Sequence, residues 1–180
     1  CDGGRDALCI SDDGKGAGTQ QSWQAIMEAA HAHGVPVIID PKGSNWTKYE
    51  HADYITPNLK EINAVLLEPI RNEDKAVEKA AHYVMRKFKL RNIIVTRSEE
   101  GLSLVREDEV VHIPTKAQEV FDVSGAGDTV IAVFAMARAG GLSPRDGAYM
   151  ANLAASVVVA KLGTYAVSQE ELIAALKKEK

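Results

Sequence analysis

The run Gly125-Ala126-Gly127-Asp128, inside the stretch from Phe121 to Thr129, sets three small residues directly before an acid. From Val130 onward Val130, Val133, Phe134 and Ala137 recur at helical spacing, which predicts that the small residues sit at a helix N-terminus. Backbone N–H groups point outward there, with little side chain to keep a ligand away, and the helix dipole favours negative charge. Such a stretch suits an anion, above all a phosphate. Asp128 in the first turn would stand beside that anion, placed to take a proton from an attacking hydroxyl. Phosphoryl transfer is the chemistry this pattern serves. Spacing alone leaves a second reading open, because glycine-rich turns precede many helices and the dipole favours an acid in any first turn.

Other chemistry-bearing residues fall at the ends of predicted strands. Asp40 and Lys42 close the run Val37–Asp40, which Pro41 breaks, and in open α/β sheets ligands bind at the carboxyl ends of strands. Lys15, in the glycine-rich turn from Ser11 to Gly18, supplies a point charge for an anion or belongs to a solvated turn. That turn also raises a dinucleotide-binding alternative with Asp40 as its acid, but Gly14, Gly16 and Gly18 read G-x-G-x-G where G-x-G-x-x-G is required. Asn58 and Glu61, three apart at the start of a helix, form either a pair for water-mediated Mg²⁺ binding or a plain capping box. His31 and His33 resemble a metal pair, but an i, i+2 spacing turns them to different helix faces and they are read as surface residues.

The elements that must hold these residues alternate. Strands are predicted over 6–11, 37–40, 54–56 and 92–96, with helices over 19–33, from Pro57, over 73–89, from the glycine run to about Arg138, over 144–162 and over 168–178. Runs 102–106 and 110–114 read as a hairpin around Glu107-Asp108-Glu109. Strand cores rich in Val and Ile predict a mainly parallel sheet with helices on both faces, an α/β/α sandwich.

At 180 residues and 46% hydrophobic content the chain can bury one core, and its formal charge of −4 creates no field that would gather nucleic acid or anionic membrane. Any phosphate must be held locally. Cys1 and Cys9 form no metal-ligand spacing and suit a reducing compartment, and no apolar stretch is long enough to span a bilayer. A soluble, cytoplasmic protein is expected. The chain opens on Cys1 rather than Met, as a piece of something longer would.

Asp122 to Thr129 and Asn58-x-x-Glu61 resemble the two signatures of the ribokinase-like (PfkB-type) carbohydrate kinases. The resemblance runs from Ser11 through Thr164 and implies the ribokinase-like fold, of which this chain would be the C-terminal, nucleotide-binding portion, with the N-terminal sugar-site half and lid absent. It further implies Asp128 as catalytic base, the Gly125–Gly127 amides as an anion hole, and Glu61 as a magnesium contact through water. Thr96, Ser98 and Gly101 would meet ATP phosphates, while Asn152 and Gly163 would flank the adenine. Asp122 and Ser124 resemble positions that hold a monovalent cation, K⁺, in some relatives. Ser11-Asp12-x-x-Lys15-Gly16 and Asp40-Pro41-Lys42-Gly43 resemble one branch, the D-glycero-β-D-manno-heptose-7-phosphate kinases, in which Lys15, Asp40 and Lys42 would meet the sugar phosphate. Some kinases of that branch are fused to an adenylyltransferase. With half the fold missing, strand edges stay unpaired, so association into a homo-oligomer is expected.

Overall fold

The computed structural model describes residues 6–14, 18–115, 125–161 and 165–178. Six strands form one sheet: β1 (Leu8–Ser11), β2 (Val37–Asp40), β3 (Tyr54–Ile55), β4 (Ile93–Thr96), β5 (Leu102–Val105) and β6 (Val110–Ile113). Their spatial order is their order in the chain. The first four run parallel, with Leu8 opposite Val37, Ile38 opposite Tyr54 and Ile55 opposite Ile93. The last two turn back antiparallel as the expected hairpin, Leu104 opposite Val111.

Each parallel crossover steps one strand along in the same direction. Right-handed connections then put every crossover helix on one face. α1 (Gln20–Ala32), α2 (Leu59–Val65) and α3 (Asp74–Phe88) cover that face, and α4 (Ala126–Ala139), α5 (Pro144–Val159) and α6 (Gln169–Lys177) serve the other. The period-2 alternation of strands divides the core accordingly. Val37 and Ile39 pack with Trp23, Met27, Tyr49 and Phe88, while Ile38 between them packs with Tyr54, Phe134 and Ala151 on the opposite side. Burial on both faces is why these strands read as unbroken apolar runs.

Helix ends follow local chemistry. The Thr19 hydroxyl accepts the Ser22 N–H at 3.2 Å to open α1, and Gly34, at φ 69°, closes it. Ser143 caps α5 ahead of Pro144 at its first position, and Gly147 lets α5 approach Phe134 of α4. α4 begins at Ala126, four residues before the apolar periodicity of the sequence first shows it. His31 departs from the surface role expected of it. Its Nε2 lies 2.8 Å from Asp53 Oδ2, an oxygen that also accepts the Val37 N–H, so the histidine ties the end of α1 to the starts of β2 and β3.

Arg97, at the end of β4, carries no signal in the sequence yet is 2% exposed. Its guanidinium reaches Asn72 Oδ1 at 2.8 Å, Asp74 at 2.6 Å and the Ser103 hydroxyl at 3.0 Å, satisfying a charge the core could not otherwise hold. Among the described residues no helix is long and apolar enough to cross a membrane.

Candidate active site

The carboxyl ends of β1, β2, β3 and β4 lie side by side, and each is pinned to the next. Asp12 N donates to Asp40 O at 3.1 Å, Thr56 N to Ile39 O at 2.9 Å and Thr96 N to Pro57 O at 3.0 Å. The N-terminus of α4 faces the same edge. A cavity of about 130 Å³ opens there, lined by Asp40, Lys42, Thr56, Asn58, Glu61, Thr96, Gly125, Gly127 and Asp128. Its volume fits a phosphoryl group and its waters rather than a nucleoside.

Gly125 is the N-cap of α4 at φ 78°, a left-handed conformation that a glycine adopts without strain. The N–H groups of the first turn have no partner within the helix and are directed toward the cavity end. Asp128, exposed and in that first turn, sets its carboxyl in the cavity wall. Thr129 secures the turn, its hydroxyl donating to Gly125 O at 2.9 Å.

Lys42 crosses the floor. Its Nζ lies 2.6 Å from Glu61 Oε1 and 3.4 Å from Asp40 Oδ2. Burial works to lower the Lys42 pKa, but the Glu61 hydrogen bond and the charges of Asp40 and Glu61 outweigh it and hold the ammonium firmly protonated. Asp40 is pushed above the usual carboxylate range, first by burial and then by the charges of Glu61 and Asp128, with Lys42 opposing them. Three acids around one lysine leave the cavity with an excess of negative charge.

A folded-state pKa above the unfolded one means that the folded protein holds the Asp40 proton more tightly, so this contribution to stability is present at low pH and lost as pH rises through the folded pKa. Asp40→Asn stays neutral throughout. The variant is therefore expected to gain stability relative to the wild type as pH rises above the ordinary Asp range. Urea midpoints measured across that rise check it, and parallel pH profiles for the two proteins would refute it.

Asn58 and Glu61 form a capping box in full. Asn58 Oδ1 accepts the Glu61 N–H at 2.8 Å, and Glu61 Oε2 accepts the Asn58 N–H at 2.9 Å. Asn58 is thus the N-cap of α2, and both residues line the cavity. The capping box leaves Glu61 one carboxylate oxygen, which is turned to Lys42 in the cavity.

Ser98, Gly101 and Asn152 do not line the cavity. Ser98 is exposed in a 3₁₀ turn, Ser98–Glu100. Gly101 is buried against the end of β6, and a Cβ there would overlap Ile113 O and stand 2.7 Å from Pro114 C. Asn152, 5% exposed in α5, donates to Pro114 O at 2.9 Å. Lys15, Asp122, Ser124 and Gly163 lie outside the described residues. Thr56 joins the cavity wall without having been singled out in the sequence, although its place directly after β3 at the ligand edge was the available signal. A larger cavity of about 700 Å³ beside α3 is lined by Leu66, Leu67, Ile70, Ala80 and Tyr83 together with Glu68, Glu73, Lys75 and Lys79, and contains none of the residues singled out in the sequence.

A family model described as pfkB family carbohydrate kinase matches residues 5–171. The chain is 45% identical over 177 residues to the bifunctional protein HldE of Trichlorobacter lovleyi, covering 98% of this chain and 36% of that protein. It is 46% identical over 167 residues to the bifunctional protein HldE of Actinobacillus pleuropneumoniae, covering 92% and 34%. The chain therefore spans about a third of the length of these curated relatives. Among solved structures, ribokinase from Thermotoga maritima superposes with a TM-score of 0.78 at 30% identity, over 96% of this chain and 57% of that one. Phosphofructokinase-2 from Escherichia coli in complex with potassium, at 18% identity and a TM-score of 0.82 over 96% and 58%, shares the fold.

Proposed function

Because this chain belongs to the pfkB family of carbohydrate kinases, we propose that it is the nucleotide-binding portion of an ATP-dependent sugar kinase acting on D-glycero-β-D-manno-heptose 7-phosphate at the anomeric hydroxyl. Family membership sets aside the dinucleotide-binding alternative built on Gly14 to Gly18. The observation that carries the mechanism is the meeting of the Gly125 turn and Asp128 with Lys42 and Glu61 in one phosphoryl-sized cavity.

In this mechanism Asp128 accepts the proton of the sugar hydroxyl as it attacks the γ-phosphorus of ATP, and the bond from that phosphorus to the β–γ bridging oxygen breaks to release ADP. Free N–H groups at the start of α4 stabilise the charge on the phosphoryl oxygens as they pass to the sugar. Lys42 meets the 7-phosphate of the acceptor or the nucleotide phosphates as a point charge, and Thr96 presents its hydroxyl at the same edge. The acid-rich cavity fits Mg²⁺, since the carboxylates of Asp40, Glu61 and Asp128 outnumber the single lysine. Among the described residues no group of three or more His, Cys, Asp or Glu is close enough to hold an ion directly, so Glu61 and Asp40 would hold it through its waters. When bound, the ion neutralises charge on the nucleotide phosphates. A K⁺ site at Asp122 and Ser124, homo-oligomerisation, and an adenylyltransferase, fused or separate, acting on the product complete the proposal. Relatives named bifunctional and about three times as long support the last of these.

The test is turnover of ATP with heptose 7-phosphate, ribose and fructose 6-phosphate, on this chain and on the whole product of its gene. ATP consumption by the gene product that depends on heptose 7-phosphate is expected. Turnover with another sugar alone would keep the kinase and refute the substrate.

A further inference from the structure

The structure assigns Tyr49, held by the buried Asp12 carboxylate, as the positioning residue that fixes Lys42 in the acidic cavity. Tyr49 lies in the 3₁₀ turn Thr47–Tyr49, outside the cavity and fully buried. Its hydroxyl donates to Asp12 Oδ2 in a short hydrogen bond and accepts the Lys42 N–H at 3.1 Å. One hydroxyl thus joins two loops that follow different strands. Asp12 is 2% exposed and also receives Lys48 Nζ and the Gly14 N–H, the latter at 2.9 Å, so the anchor is satisfied on several sides. The Asp12 N–H in turn donates to Asp40 O. Both ends of the Asp40-Pro41-Lys42 segment are therefore tied to Asp12, one directly and one through Tyr49.

The consequence lies at the other end of the lysine. Lys42 has a side chain 40% exposed and four rotatable carbons, and only its backbone anchor and two carboxylates choose its direction. A lysine anchored at its own N–H presents Nζ to Glu61 and Asp40 at little entropic cost, ready for an anionic ligand. Without the hydroxyl, that N–H loses its partner and the segment between Asp40 and Tyr49 is free to shift.

This inference rests on the kinase reading for its kinetic test but not for its chemical one. Tyr49→Phe keeps the ring that packs edge-on against Trp23, with centroids 5.2 Å apart, so the variant should fold with a melting temperature only a few degrees lower. Initial rates for the gene product and its Tyr49→Phe, Lys42→Ala and double variants form a cycle. A lysine that grips a phosphate equally in ground and transition states predicts that Tyr49→Phe raises KM for the sugar phosphate about tenfold with kcat nearly unchanged, and adds nothing in the Lys42→Ala background. The second arm needs no turnover: trace labelling of amines, read at the Lys42 peptide by mass spectrometry, should become several-fold faster in Tyr49→Phe as the ion pairs loosen. Equal effects of Tyr49→Phe in both backgrounds, or unchanged KM with unchanged labelling, would overturn the assignment. If no sugar phosphate is turned over, the kinase reading falls and the labelling rate alone decides the role of Tyr49.

Discussion

Asp128→Asn is expected to lower the rate of phosphoryl transfer by on the order of 10³- to 10⁴-fold while the protein stays folded. A positioned general base contributes a factor of that size, and an amide of the same shape cannot accept the proton. The fold should tolerate the change. Asp128 is exposed in the first turn of α4, where loss of its charge forfeits about 0.3–1 kcal/mol of dipole stabilisation. Relief of its repulsion with Asp40 acts in the opposite direction. Initial rates at saturating ATP, with melting curves recorded alongside, separate the two effects. A rate within tenfold of the wild type would remove Asp128 from the mechanism and leave the glycine run as an anion site only.

The largest loss of stability is expected from Gly101→Ala, at about 3–5 kcal/mol, or roughly 10 °C in melting temperature. Two costs combine. Gly101 sits at φ 81° and ψ −118°, a region that a residue with a Cβ enters only under strain. The added carbon would also overlap backbone atoms at the end of β6, which cannot move without breaking the pairing of Leu102 with Ile113. The same substitution weighs two explanations of this glycine. A bare contact for nucleotide phosphates would cost only the backbone strain, a few degrees, and raise KM for ATP. A close approach of two strands within the protein would lower the melting temperature with or without nucleotide. The geometry favours the second, and an Ala variant as stable as the wild type would contradict it.

Much of the fold was legible because the sheet is covered on both sides. Val37-Ile38-Ile39 reads as a buried strand precisely where Ile38 faces one core and its neighbours the other, and the Gly34-Val35-Pro36 break before it marks the turn. The site was partly legible for a related reason, since Asp40, Lys42, Thr96 and the glycine run all stand where a strand ends or a helix begins. What stayed hidden depends on contacts across long sequence separations. Tyr49 meets Asp12 across 37 residues, and nothing near either residue announces the other. Arg97 carries no sequence signal because its partners Asn72 and Asp74 precede it by more than twenty residues. Gly101 was read as open backbone for a ligand because spacing cannot show that another strand already lies against it. The start of α4 was legible from the glycine run itself: small residues followed by an acid mark a helix N-terminus, although the apolar periodicity begins only at Val130.

Strand order that repeats chain order also governs synthesis. Each new strand emerging from a ribosome finds its partner already made, at the growing edge of the sheet, and never has to wait for a later segment to be inserted between two earlier ones. The helices do not share this convenience equally. α1 to α3 arrive between the strands they cover, but Ile38, Ile94, Leu102 and Leu104 are covered by α4 and α5, which follow the last strand. For as long as it takes to make residues 126 to 159, a nascent chain whose six described strands have paired carries one covered face and one bare apolar face.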